Sequence, residues 1–348
     1  MQKNKSIIWF FRNYFSHVGN KIYFILFLSF ISVMMGGIGI TLVLPLLSMV
    51  QGNSLTNSNL LFIEKIIVFL NINSIIHLSI FISLIFILKG AFKFFEGLVK
   101  ASLEANLLFS IKTKMISGIM NYDYLYFSKK NTGYFINALN EQIKLYISSF
   151  GSYIKLLTNI ITTFVYLAFA FYTSWQTLIL AIFFGAGMVG FFQLFNNRIK
   201  NYSRRYSFEL SNYNKIAIQS IHSFKYVVST NQYKNIKSFI YHSISELFKF
   251  FKRSRIITSI VEASREPILI IGILTMISFH TIVLNAEIEK IAVIMLLLYR
   301  SMTYLSDSQG QWQKVLGKIG SIEIVNNELN NIKNNKERNG AIKLESFN

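Results

Sequence analysis

The chain has 348 residues, 52% of them hydrophobic and 16% aromatic, with a formal net charge of +19. Several long apolar runs in such a composition exclude an ordinary soluble domain and predict a polytopic membrane protein. Cysteine is absent, which excludes disulfides, thiolate metal sites and cysteine nucleophiles. The basic residues crowd beside the apolar runs, where they set orientation and meet anionic lipid rather than nucleic acid.

Residues 1–20 are basic and amphipathic. Trp9, Phe10, Phe11, Tyr14 and Phe15 supply an aromatic face and Lys3, Lys5 and Arg12 the charges. This predicts an interfacial helix on the inner leaflet. A first span covers about 22–48; Gly36, Gly37 and Gly39 permit close helix contact there, and Pro45 predicts a kink near its outer end. The stretch NLLFIEKIIVFLN (59–71) is amphipathic but too short to span, so it reads as a helix on the outer surface.

The chain is organised around residues 75–171. An apolar run (75–98) continues without proline into a basic amphipathic stretch (99–120). A polar turn (121–142) follows, and a second apolar run (147–171) returns. At about 1.5 Å per residue each run crosses a hydrocarbon core of about 30 Å. A fourth span covers about 176–195 and extends as a polar helix (196–217) to a second turn (219–236). The return helix becomes a fifth span ending near His280, and a sixth covers about 288–308.

Arg198, Lys200, Arg204, Arg205, Lys215, Lys225, Lys234 and Lys237 fall between spans four and five. Lys112, Lys114, Lys129 and Lys130 fall between spans two and three. The positive-inside rule therefore puts both termini and both long hairpins in the cytoplasm; the abundance of Asn, Lys and Ile points to an AT-rich bacterial genome and so to the inner membrane.

Two stretches carry a family resemblance. YFSKKNTGYFINALNEQI (126–143) resembles the first intracellular loop of ATP-binding-cassette exporters, with Thr132–Gly133 as its Thr-Gly pair. IQSIHSFKYVVSTNQYKNIKSF (218–239) resembles the second. The family's arginine and acidic residue after the Thr-Gly pair are replaced here by Ala138 and Gln142. The resemblance implies an all-α membrane protein: six transmembrane helices with long cytoplasmic helical extensions, in the domain-swapped exporter fold, over 21–325. It also implies that Thr132, Gly133, Phe135 and Asn137, with Phe224, Tyr226 and Ser229, couple the hairpin tips to an ATPase domain. ITLVLPLLSMV (40–50), LLLYRSMTYLSDSQGQW (296–312) and the 59–71 helix resemble, more narrowly, flippases for lipid-linked oligosaccharides.

No G-x-x-x-x-G-K-[ST] loop is present. ATP and Mg²⁺ are therefore expected on a nucleotide-binding domain outside this sequence, and residues 326–348 read as a linker and the first strand of such a domain. The expected partners are a second copy or a homologous half, the ABC ATPase domain and membrane lipid. Neither a catalytic residue nor a metal ligand set is expected, since the five histidines are scattered.

Three cations, Lys89, Arg265 and Arg300, fall inside the spans. Counted from the outer helix ends they lie about 14–22 Å deep, which predicts one layer. Intramembrane charges are costly and mark a cavity or a partner, and the resemblance implies a cavity that holds a diphosphate headgroup. Glu262 and Glu266 are alternative, local partners for Arg265. The expected function is the transmembrane half of an ATP-driven exporter or flippase. The alternatives are a peptide or drug exporter half, or a degenerate subunit that does not transport.

Overall fold

The computed structural model describes residues 7–50, 74–130, 132–173, 175–282 and 288–337. The expected outer-surface helix at 59–71 and the expected strand near 340–348 lie outside the described residues.

The described chain is helical. Helix α1 (Ile7–Val18) leads to α2 (Lys21–Thr41) and α3 (Val43–Val50), and α4 is a single helix from Ile75 to Met120. The turn after it holds α5 (Tyr124–Lys129), α6 (Thr132–Asn137) and a π-helical segment, Ala138–Gln142. Then come α7 (Ile143–Thr173), α8 (Trp175–His222), α9 (Phe224–Ser229), α10 (Tyr233–Ile282), α11 (Ile288–Leu316) and α12 (Ile319–Asn334). At about 1.5 Å per residue, α4, α8 and α10 run roughly 70–75 Å, about twice a hydrocarbon core.

The predicted kink at Pro45 is a helix break at Leu42. Proline has no N–H to give to the carbonyl four residues back, and its ring clashes there. That carbonyl belongs to Thr41, the last residue of α2. Pro45 itself sits in the first turn of α3, where a missing donor costs nothing. Among the described residues three helical stretches are long and apolar enough to cross a membrane: Lys21–Met49, Ile75–Met120 and Thr132–Tyr172.

The chain divides into two compact units. The first comprises residues 1–103, 151–196 and 258–313. Its core joins Val33 and Ile40 of α2, Ile85 of α4, Val165 of α7, Met276 of α10 and Leu297 of α11. The glycines of α2 act there as expected. A methyl on Gly37 would collide with the Phe169 ring, and one on Gly39 would lie 2.9 Å from the Phe86 ring. The aromatic stripe of α1 divides. Phe10 and Tyr14 are fully buried, Phe10 lies edge-on to Trp312 at 5.4 Å, and the Tyr153 hydroxyl donates to the Ile7 carbonyl at 3.1 Å. Ile8 stays exposed.

The second unit comprises residues 104–150, 197–257 and 314–348. Its organising element is α12, whose apolar residues Ile319, Ile322 and Val325 are buried. Gly320 sits against Ser203 and Ser207 of α8, and Gly118 of α4 against Ile332. The expected linker boundary at 326 therefore falls inside a packed helix.

Candidate functional site

In the first unit, the three predicted cations do not share one setting. Lys89 Nζ lies 3.5 Å from the Tyr166 hydroxyl and 5.4 Å above the Phe86 ring. Arg300 is close enough to act on the charges of both Lys89 and Tyr166, and Tyr304 stacks on Tyr166 at 6.0 Å. Gly36 makes room for this group: a methyl there would lie 2.7 Å from Lys89 Nζ and 2.9 Å from the Tyr166 oxygen. Among the described residues no carboxylate forms an ion pair with Lys89 or Arg300. Lys93, by contrast, pairs with buried Glu96 at 2.9 Å.

Arg265 has other neighbours. Its guanidinium is seated where a methyl on Gly310 would collide with it, and Glu262 and Asp307 act on its charge. Gly310 is ten residues beyond Arg300, about 15 Å along α11. The single layer expected from counting in from the helix ends therefore resolves into two levels. That count assumed a common height for all helix ends. Arg265 Nε is buried without a hydrogen-bond partner among the described residues, as are the Gln309 and Gln313 amide nitrogens. Ser306, Ser308, Gln309, Gln311 and Gln313 make this end of α11 a buried polar stretch, which its sequence alone does not distinguish from a solvated tail.

An apolar cavity of about 970 Å³ opens in the same unit, between α7, α8 and α11. Phe164 and Leu167 of α7, Ile182 and Val189 of α8, and Met302 and Leu305 of α11 line it. Tyr166 and Arg300 each stand next in sequence to a stretch that lines it.

In the second unit, the predicted coupling residues separate by burial. Phe224 and Tyr226 are 66% and 70% exposed, Ser229 is exposed, and Val227 is the buried anchor of α9. Around the other tip Thr132 is exposed, whereas Gly133, Phe135 and Asn137 are buried. Phe135 stacks on Phe127 at 5.1 Å, and Asn137 bonds Ser211 at 2.8 Å and Asn214 at 2.7 Å. These three build the tip; Thr132 and Ile136 are what it shows outward.

The two substituted motif positions lie in the π-helical segment. Ala138 is fully buried, and both side-chain polar atoms of buried Gln142 lack a hydrogen-bond partner among the described residues. An unpaired buried amide is costly, and a π segment is a local distortion that recurs at functional sites. Among the described residues no group of three or more potential metal ligands occurs.

Sequence reasoning missed Glu328. Its carboxylate is fully buried and receives the Tyr122 hydroxyl at 2.7 Å, Lys130 Nζ at 2.7 Å and the Tyr134 hydroxyl at 2.8 Å. Burial alone would raise this carboxyl, but the three hydrogen bonds outweigh it and hold it below the ordinary carboxylate value. Burial, and then the Glu328 charge and hydrogen bonds, push both tyrosine hydroxyls up.

No curated protein matches the sequence. Residues 22–303, most of the chain, match the family described as ABC transporter transmembrane region. The match covers α2 through the first half of α11, including the apolar helices, the Lys89–Tyr166–Arg300 group and both hairpin tips. The chain therefore belongs to the ABC transporter transmembrane region family, and its role is that of a multi-pass membrane component of transport.

Proposed function

We propose that the chain is the transmembrane half of an ATP-driven exporter that works as a homodimer with six spans per copy. Its substrate is an amphipathic lipid with a phosphorylated head, a lipid-linked oligosaccharide being the best fit. The observation that carries this reading is Lys89 Nζ at 3.5 Å from the Tyr166 hydroxyl with Arg300 close enough to act on its charge, and no carboxylate among the described residues in an ion pair with either cation. Like charges brought together in a low-dielectric setting are unfavourable unless an anion joins them. A phosphate offers several acceptor oxygens to the forked guanidinium and the ammonium. Arg265, with its unpaired Nε near the polar end of α11, gives a second station about 15 Å along the same helix.

ATP bound on the ATPase domains would draw those domains together. The exposed residues of α9 and the outward face of α6 would carry the motion to the spans, each state being selected by differential nucleotide affinity. The test is transport in proteoliposomes that contain the chain with its ATPase, using a fluorescent polyprenyl-diphosphate glycan. Lys89→Ala/Arg300→Ala should abolish translocation while leaving basal ATP hydrolysis in place; unaltered translocation contradicts the reading.

The apolar cavity of about 970 Å³ favours a second reading, a peptide or drug exporter half. Such a substrate would be held by the Phe164–Leu305 lining and would tolerate loss of the cations.

A further inference from the structure

Helix α12 touches both polar hairpins of the second unit, and each contact is specific. At its start Lys318 Nζ donates to the Ser148 hydroxyl at 2.7 Å and to the Ser148 carbonyl at 3.2 Å. In the next turns Glu323 takes a forked pair of bonds from Arg204 of α8, at 2.9 Å from Nη2 and 3.1 Å from Nε. Ser321 lies 3.4 Å from Ser207. Further along, Glu328 receives its three donors from the first hairpin tip. Beyond α12, Asp123 N–H donates to the Asn335 carbonyl at 3.1 Å and Glu337 N–H to the Asn121 carbonyl at 2.9 Å, which closes a small antiparallel bridge between Tyr122 and Lys336.

We propose that Glu328 is the pin of a clasp: it positions the first hairpin tip and makes that tip and α12 one moving part. The donors it gathers lie either side of α5. Tyr122 precedes that helix, Lys130 follows it and Tyr134 sits in α6. One buried carboxylate thus fixes where α5 and α6 lie. Lys130 is held in turn over the rings of Tyr134, Tyr126 and Phe135, at 4.6, 4.9 and 5.8 Å. Its ammonium links the carboxylate to the Phe127–Phe135 stack. Removing any one donor weakens the hold of the whole set, because the buried charge is then less compensated and water cannot replace the lost bond. The clasp is therefore two-state, engaged or open. A shift of α12 along α8 would be delivered to the tip rather than absorbed. The inference stands on the second unit alone and does not depend on which substrate the first unit takes.

The test is hydrogen exchange on the whole chain in lipid nanodiscs. Glu328→Gln keeps the size and removes the charge. It should speed exchange of the amides at 124–137 and at 319–337 together, by about a hundredfold or more, with 153–170 of α7 unchanged. Lys130→Met should give the same paired response from the other side. Arg204→Met removes the forked bonds to Glu323 and none of the three donors of Glu328, yet it should speed exchange at 124–137 by about threefold to tenfold, since it loosens α12. A tip that keeps wild-type exchange in Arg204→Met, or an α12 that loosens alone in Glu328→Gln, overturns the proposal.

Discussion

Gly37 offers the sharpest test of the packing in the first unit. A methyl group there would collide with the Phe169 ring, and Phe169 packs against the main apolar cluster. Inserting a methylene-sized group into a packed interior costs about 1–3 kcal/mol. Replacing glycine by alanine inside a helix also gains about 1 kcal/mol in propensity, so a single variant mixes two effects. Gly97, inside α4, separates them, because a methyl there meets nothing within 4 Å. Propensity cancels between Gly37→Ala and Gly97→Ala and leaves the collision alone. Gly37→Ala should therefore be less stable than Gly97→Ala by about 1–3 kcal/mol. Reversible unfolding in mixed micelles with a denaturing detergent measures the difference. Equal stability of the two variants would refute the contact between α2 and α7.

Gly36→Ala is expected to weaken binding of a phosphate-headed lipid without changing any charge, because its methyl would part Lys89 from Tyr166; a lipid titration on the purified protein reads this. Tyr122→Phe should destabilise the second unit by about 1.5–3 kcal/mol, the worth of one hydrogen bond to a charged group, read as a local opening free energy by hydrogen exchange. The Glu328 carboxyl is held below its unfolded value of about 4.3. Its contribution is therefore complete above that value and is lost as pH falls through the lower folded value, so acidification below the unfolded value should lower the protection of the 124–137 amides, relative to their intrinsic exchange at each pH, in the wild type and not in Glu328→Gln. Burial, with Lys314 nearby, lowers Lys318 to about 8. Between about 8 and the unfolded value of about 10.4 the folded state binds fewer protons, so stability rises with pH there. The wild type should gain on Lys318→Met across that interval in thermal unfolding.

Much of the architecture was legible because its signals are local. The length of the apolar runs marks three of the six expected spans, those within Lys21–Met49, Ile75–Met120 and Thr132–Tyr172; Pro45 marks a break one helical turn upstream, and the α2 glycines mark a close approach. Lys89 and Arg300 stand out because a cation inside an apolar run needs a reason. What stayed hidden depends on distant partners. Glu328 sits in a polar segment with no motif, and its donors Tyr122, Lys130 and Tyr134 are 206, 198 and 194 residues away. Arg265 was assigned to the same layer as Arg300 because counting along a helix ignores where its neighbours begin. That Phe135 and Asn137 are buried within the tip while Thr132 is exposed depends on contacts that a linear motif does not display.

Lys89 and Arg300, proposed above as an anion station, decide the substrate class. The direct measurement is binding of undecaprenyl diphosphate to the chain in nanodiscs of neutral lipid, compared with undecaprenol, which lacks the charged head. The diphosphate should bind at least about tenfold more tightly, and Lys89→Ala/Arg300→Ala should remove this preference while leaving binding of undecaprenol unchanged. Equal affinity for the two lipids in the wild type would contradict that proposal, as would a preference for the diphosphate that survives in the double variant.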